Sequence, residues 1–420
     1  MGNSTFPIPS SGATTTSTVM PINASSVLLD GSLTSGTSYT TTVNGNGGLV
    51  YMVANASNTA GVNVTISNNT YTLFNNQPIP SITALGASTS ITVKAGYAMT
   101  NPSTWTFAST GMPYAGAQNN AAYGNGIYCL VGTGYGAYAV DATPTSWTST
   151  TMTTANNWYG VAYGNGKFVA VCATSGNVGQ YCTNGYTWTA TTIANTISYS
   201  NAIAFGNNIW VALPTSGTTG IYSADGINWA TLTVPANKSW VKMGYGNGMF
   251  VAVASTSYTS NGGNANGAYS YNGTTWTSTS LPVGNPATDS NSPSGLAYGP
   301  SGWISNNINR NSNVFYISPD GIKWYGTSPI APSSQCNNVV YGNGYYVSLM
   351  SNAGSNFLYS TNLATWTTVV LSNGGNWNGV YGNGSFICYD QYSQFRYMYT
   401  FTGNNLPINF GIYNGPTTIN

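Results

Sequence analysis

Tyr163-Gly164-Asn165-Gly166-Lys167-Phe168-Val169-Ala170-Val171 returns as Tyr245-Gly246-Asn247-Gly248-Met249-Phe250-Val251-Ala252-Val253, with one residue changed. The opening four residues, or a close variant, begin at Tyr123, Tyr163, Phe205, Tyr245, Tyr298, Tyr341 and Tyr381, at spacings of 40, 42, 40, 53, 43 and 40 residues. Five residues after each start stands a second aromatic: Tyr128, Phe168, Trp210, Phe250, Trp303, Tyr346 and Phe386. Asn-Gly between alternating apolar runs is a hairpin signal, because both central positions of the favoured two-residue turn need positive φ. The phrase therefore reads as one strand-turn-strand unit repeated seven times.

A second phrase shares the period. Its fullest copies are Tyr222-Ser223-Ala224-Asp225-Gly226-Ile227-Asn228-Trp229 and Ile317-Ser318-Pro319-Asp320-Gly321-Ile322-Lys323-Trp324, and degenerate copies end at Trp147, Trp188, Trp276 and Trp366. Each period holds four short alternating runs, such as Trp158 to Tyr163, Lys167 to Cys172, Gln180 to Thr183 and Tyr186 to Ala190. About forty residues and four strands per unit is the pattern of a β-propeller blade, so a seven-bladed propeller is expected over residues 101–402. The two phrases are out of phase by one: Trp105 precedes the first Tyr-Gly-Asn-Gly, and no Trp follows the last. The strand holding Trp105 is thus expected to complete the blade begun at Tyr381, closing the ring and removing its exposed edges.

At these residues the sequence resembles the Asp-box, or BNR-repeat, β-propellers of sialidases and of many phage tail and bacterial surface proteins. The resemblance implies that the Asp box is a structural turn between the third and fourth strands. It makes Asp225, Gly226, Trp229, Asp320, Gly321 and Trp324 structural residues. The physics agrees, since an Asp carboxylate accepts backbone N–H bonds in a turn, Gly takes positive φ and Trp packs between blades.

Outside the ring the texture changes. No Trp occurs before Asn101. Residues 1–24, with Pro7, Pro9 and Pro21, read as an extended Ser/Thr/Pro arm. Residues 25–100 carry short alternating runs between Asn-Gly, Asn-Asn and Pro breaks, which fits a small β-sandwich. Residues 403–420 read as a tail. Met1 to Met20 shows no charged segment followed by an apolar core, so a Sec signal is not expected, and no apolar run is long enough to span a bilayer as a helix.

Composition removes most chemistry. Of 420 residues only 3% are charged, where about 25% is ordinary, and there is neither His nor Glu. All six acids are Asp: Asp30, Asp141, Asp225, Asp289, Asp320 and Asp390. A net charge of +1 without a basic cluster gives no purchase on nucleic acid or on an anionic membrane surface. A sialidase-like site, which by resemblance needs three arginines and a Glu-supported Tyr, cannot be built from Arg310 and Arg396 alone. A glycosidase needs two carboxylates across the scissile bond, and few remain once Asp225 and Asp320 are turns. Triads and histidine metal sites fail for want of His, so no catalytic residue, cofactor or metal is expected. Gly132-Thr133-Gly134-Tyr135-Gly136-Ala137 matches a loose dinucleotide fingerprint, but it lies between strands with no helix to receive a pyrophosphate, and reads as a loop. Five scattered cysteines without CxxC spacing point to buried thiols, with a Cys172–Cys182 bridge left open.

What remains is a binding or structural protein. In the expected topology both turn phrases lie on one face. The insertions that lengthen two repeats, Ser255 to Gly267, Ser278 to Gly295 and Asn306 to Asn313, lie on the other. Variable loops on one face of a repeat protein mark where it meets a partner. The candidate ligand-binding residues are therefore Tyr258, Asn261, Asn264, Asn285, Asp289, Asn309 and Arg310, with the N-terminal domain expected on the opposite side. The Thr/Ser/Asn/Gly-rich β composition and the phage-like repeat lead to a non-enzymatic bacteriophage virion surface protein, a tail-fibre, tail-spike or head-fibre component. Its expected partners are other virion proteins, a host glycan or protein receptor, and further copies of itself. The alternatives are a secreted or cell-surface lectin-like adhesin and, behind it, a glycoside hydrolase.

Overall fold

The computed structural model of the chain describes the strands between Ser26 and Ala95, the strand Thr106–Ala108, residues 118–400 apart from breaks in connecting segments, and the strand Pro407–Gly415. The breaks are 141–145, 154–156, 173–177, 194–198, 256–266, 283–292, 308–314, 328–335, 343, 351–355, 371–375, 383–384 and 391–396. Among the described residues the chain is all-β, without a helix. Two units divide it, Thr106–Tyr399 and a second made of Met1–Trp105 with Thr400–Asn420.

The larger unit is a β-propeller. Six four-stranded antiparallel sheets follow one another, each built of four consecutive strands, from Gln118–Gly124 in the first to Thr367–Val370 in the last. A further sheet has the order Trp377–Gly382, Ser385–Asp390, Tyr397–Thr400, Thr106–Ala108, so its fourth strand comes from the front of the chain. The first strand of each sheet lies beside the first strand of the next, and Trp377–Gly382 lies beside Gln118–Gly124.

Burial follows strand position. The second strands, Lys167–Cys172 or Ile209–Pro214 for example, are buried along almost their whole length, because both faces of a sheet are covered by neighbouring sheets. Fourth strands such as Thr148–Thr150 and Thr189–Thr192 are Thr-rich and mostly exposed. The apolar clusters sit between sheets: Val169 and Val171 of one pack with Ile203, Trp210 and Ala212 of the next. Trp158, Trp210, Trp240 and Trp303 are fully buried in such seams.

The repeated phrase has two structural duties. Its third and fourth residues form the hairpin turn, with φ of 50° and 75° at Asn125 and Gly126 and of 44° and 75° at Asn165 and Gly166. The first glycine serves packing instead. A Cβ on Gly124 would lie 2.0 Å from the ring of Tyr163, and clashes of 1.9 to 2.6 Å likewise link Gly164 to Phe205, Gly206 to Tyr245, Gly246 to Tyr298, Gly299 to Tyr341, Gly342 to Tyr381 and Gly382 to Tyr123. Each opening aromatic packs against the glycine of the preceding repeat, and the last pair returns to the first. Tyr128 adds a hydrogen bond across that junction, its hydroxyl donating to the Gly382 carbonyl.

The smaller unit has two antiparallel sheets, one ordered Ser38–Val43, Thr89–Ala95, Val62–Ile66, Asn69–Leu73 and one ordered Ser26–Thr34, Pro407–Gly415, Leu49–Ala54. The second sheet corrects the reading of 403–420 as a tail. Ile408, Phe410 and Ile412 alternate with smaller or polar residues, and this strand is central, paired with Ser26–Thr34 on one side and Leu49–Ala54 on the other. The arm 1–24 lies outside the described residues. All five cysteines are buried free thiols. Cys182 neighbours Cys129 of the adjoining sheet, and burial pushes the Cys129 thiol well above its ordinary value.

Candidate functional site

The first strands surround a cavity of about 320 Å3, to which every first strand from Gln118–Gly124 to Trp377–Gly382 contributes lining residues. The strand path at its wall has a common irregularity. Register shifts occur between Gln118 and Asn120, Trp158 and Gly160, Trp240 and Lys242, and Cys336 and Asn338. A bulge of this kind turns a side chain away from the regular pleat. The residue it places lies three positions before the repeated phrase: Asn120, Gly160, Ala202, Lys242, Gly295, Asn338 and Asn378 occupy equivalent positions.

The asparagines at this level are tied to their own strands. Asn120, Asn338 and Asn378 each accept through Oδ1 a bond of 2.9 Å from the next residue's N–H. Asn338 also donates to the Asn378 side-chain oxygen. Lys242 is different in kind. It is the one charged residue in the core among the described residues, 9% exposed, and it lines the cavity beside Met243 and Leu296. Among the described residues no acid faces it: Asp225 and Asp320 sit in turns between third and fourth strands. Desolvation by burial lowers the Lys242 ammonium from its ordinary 10.5 to about 8.

Asp225 and Asp320 sit in turns. Asp225 Oδ1 accepts from the N–H groups of Ile227 at 2.8 Å and Asn228 at 2.7 Å, while Ser223 Oγ accepts from the Gly226 N–H at 2.8 Å. Asp320 repeats this with Ile322 at 2.9 Å and Lys323 at 2.8 Å, and Ser318 with Gly321 at 2.8 Å. Gly226 and Gly321 take positive φ, and Trp229 and Trp324 are buried. Asn184, Asn272 and Asn362 make the same turn with an amide oxygen in place of the carboxylate. Desolvation pushes the Asp225 carboxyl up, but the N–H groups of Asn228 and Ile227 and the side chains of Asn228 and Ser223 outweigh it. They hold the group well below the usual carboxylate range.

These bonds predict a pair of outcomes. Asp225→Ala leaves two turn N–H groups without their acceptor and is expected to cost about 1–2 kcal/mol, as loss of a comparable side-chain cap does. Asp225→Asn keeps the acceptor that three other repeats use but loses the charge, and is expected at pH 7 to be less stable than wild type and more stable than Asp225→Ala. A depressed carboxyl contributes stability that is present above its unfolded value and lost as pH falls through its folded value, so Asp225→Asn flattens the stability profile below about pH 4. Urea unfolding of the three proteins at pH 7 and pH 3 checks both statements.

The loop residues Tyr258, Asn261, Asn264, Asn285, Asp289, Asn309 and Arg310 lie outside the described residues, as does Trp105. The strand Thr106–Ala108 that follows Trp105 is described. Sequence reasoning passed over Lys242, although a charged residue inside the run Trp240-Val241-Lys242-Met243 was a visible signal in so uncharged a chain. No group of His, Cys, Asp and Glu able to hold a metal occurs among the described residues.

No known protein family matches the sequence, and no curated protein matches it. Among solved structures the chain is similar to virginiamycin B lyase from Staphylococcus aureus, at 10% identity and a TM-score of 0.59, over 70% of this chain and 99% of that one. It is also similar to YCF48 bound to D1 peptide, at 15% identity and a TM-score of 0.55, over 72% of this chain and 97% of that one. YCF48 from Cyanidioschyzon merolae matches at 13% identity and a TM-score of 0.51, over 73% and 98% of the two chains. At these identities the likeness establishes the fold, an all-β propeller. One of these relatives is an enzyme and one holds a peptide, so the fold does not select a function.

Proposed function

We propose that the chain is a seven-bladed Asp-box propeller that works as a non-enzymatic recognition protein on the surface of a bacteriophage virion, as a tail-fibre, tail-spike or head-fibre component. The blade count is supported by the sheet that Thr106–Ala108 completes and by the packing of Tyr123 on Gly382. The Asp-box assignment is supported by the five equivalent turns at Asn184, Asp225, Asn272, Asp320 and Asn362. A non-enzymatic role is supported by the sequence itself, which has no His and no Glu and commits Asp225 and Asp320 to backbone bonds.

The observation that carries the recognition reading is the sorting of connections. In each antiparallel four-stranded sheet the first and third connections share one end, and the second connection and the link to the next sheet share the other. The tight Asn-Gly and Asp-box turns occupy the first end, and the variation in repeat length falls at the second. Length variation without loss of the repeat marks the partner-facing end. The contact surface is then the end that carries Tyr258, Asn261, Asn264, Asn285, Asp289, Asn309 and Arg310, and its partner is a host glycan or protein receptor. The residues before Asn101, the sandwich and its arm, attach the ring to other virion proteins, and copies of the chain assemble together.

Mass spectrometry of density-purified particles and of uninfected cells tests this. The chain is expected in the particles. Its presence in uninfected cells, with none in particles, would refute the virion role in favour of a cell-surface adhesin. A whole-cell binding assay then tests the surface. Shortening Ser255–Gly267 and the substitution Arg310→Ala are each expected to lower host binding at least tenfold while leaving the melting temperature unchanged. Undiminished binding by both variants would remove these loops from the contact.

A further inference from the structure

A buried ammonium without a partner is costly, and proteins retain one where a ligand completes it. Lys242 forms no hydrogen bond or ion pair among the described residues, is 9% exposed, and lines the central cavity. Asn120 lines the same cavity, with its Oδ1 held by the Ala121 N–H, which leaves its amide donor without a bond to described residues. The remaining wall sets Val161, Ile203, Met243 and Leu296 of neighbouring first strands beside Tyr298, Tyr341, Tyr381 and Asn338, and its exposed surface is more polar than apolar. One positive charge and one amide donor in about 320 Å3 have the size and the polarity of a small polar-ligand site.

We propose that the central cavity binds a small organic carboxylate, its carboxylate paired with the Lys242 ammonium and the Asn120 amide. A carboxylate supplies the missing counter-charge and accepts from both donors, as charge-assisted bonds of this type require. This site is independent of the loop end of the ring and of whether the protein belongs to a virion.

The tyrosines Tyr298, Tyr341 and Tyr381 are the other titratable groups on the wall, and burial holds the Tyr341 phenol above its ordinary value. Lys242 is therefore the wall group that changes charge near pH 8. Pairing with a carboxylate favours its charged form, so binding near pH 8.5 takes up a proton.

Isothermal titration of the full chain with benzoate, acetate and inorganic phosphate tests the assignment, using wild type, Lys242→Met, Asn120→Ala and the surface-charge control Lys323→Met. Acetate is expected to bind wild type, and benzoate is expected to bind wild type and Lys323→Met equally. Its affinity should fall at least tenfold in Lys242→Met and severalfold in Asn120→Ala. Wild type alone supplies a second reading: benzoate heats measured at pH 8.5 in buffers of different ionisation enthalpy should report proton uptake. Three results would each overturn the proposal: no benzoate binding at millimolar concentration, unchanged affinity in Lys242→Met, or phosphate binding with both carboxylates silent. Benzoate binding without proton uptake at pH 8.5 would also overturn it, because Lys242 would then not be the group engaged.

Discussion

Gly382→Ala is expected to destabilise the propeller by about 3 kcal/mol or more, at the upper end of what one inserted methyl group costs. The added Cβ would lie 2.1 Å from the ring of Tyr123. Tyr123 has nowhere to retreat, since its ring lies 4.7 Å from that of Tyr128, and Tyr128 is fully buried and bonded back to the Gly382 carbonyl. Relief therefore requires the two sheets at the junction to part. Gly134→Ala is the control. A Cβ there meets nothing within 4 Å, and only its φ of 78° opposes the change, for about 1 kcal/mol. Urea unfolding of the two variants separates backbone conformation from the aromatic-on-glycine contact that joins the repeats. Equal, small losses in both would mean that the contact does not hold the junction.

Lys242→Met should do the opposite and raise stability by about 2–3 kcal/mol at pH 7. Lowering a lysine from 10.5 to about 8 costs the folded state about 1.4 kcal/mol per pH unit while the group is charged, and methionine fills similar space without charge. The sign follows from proton binding. Between about pH 8 and 10.5 the unfolded chain holds the proton that the folded chain has released, so wild-type stability rises with pH across that window. Below about pH 8 the penalty is present in full. The advantage of Lys242→Met over wild type is then expected to be roughly halved at pH 9.5. Exposed tyrosines ionise near pH 10 in the unfolded chain and act in the other direction, so unfolding is best compared at pH 7 and 9.5. A stabilising substitution at a buried charge is the mark of a residue kept for something other than folding. A loss of stability in Lys242→Met would show that the ammonium has a structural partner instead.

The ring was legible in the sequence because each repeat carries its own turn chemistry. Asn165 and Gly166 need positive φ, Gly164 needs a missing Cβ, and Phe168 fills the seam, so three separate requirements keep one phrase recognisable over seven copies. The second phrase was less legible where a different residue meets the same need. Asn362 supplies the acceptor, and Leu363 takes a φ of 62° at the position that other copies give to Gly. The strand Pro407–Gly415 escaped because its pairing partners, Ser26–Thr34 and Leu49–Ala54, lie more than 350 residues away in sequence, and nothing local announces a contact of that range. Lys242 escaped for another reason. Its meaning depends on an inner wall that exists only when the first strands stand side by side, and on a bulge that the run Trp240-Val241-Lys242-Met243 does not announce.

The closure of the ring by strands from its two ends is tested most directly by native-state amide hydrogen exchange at Thr106–Ala108 and Tyr397–Thr400. A closed ring predicts that the bonded amides of both segments exchange only with global unfolding, at the same free energy as the core strand Lys167–Cys172. Exchange of Thr106–Ala108 at rates near those of an unfolded chain, while Lys167–Cys172 stays protected, would contradict it and leave the last sheet with an open edge.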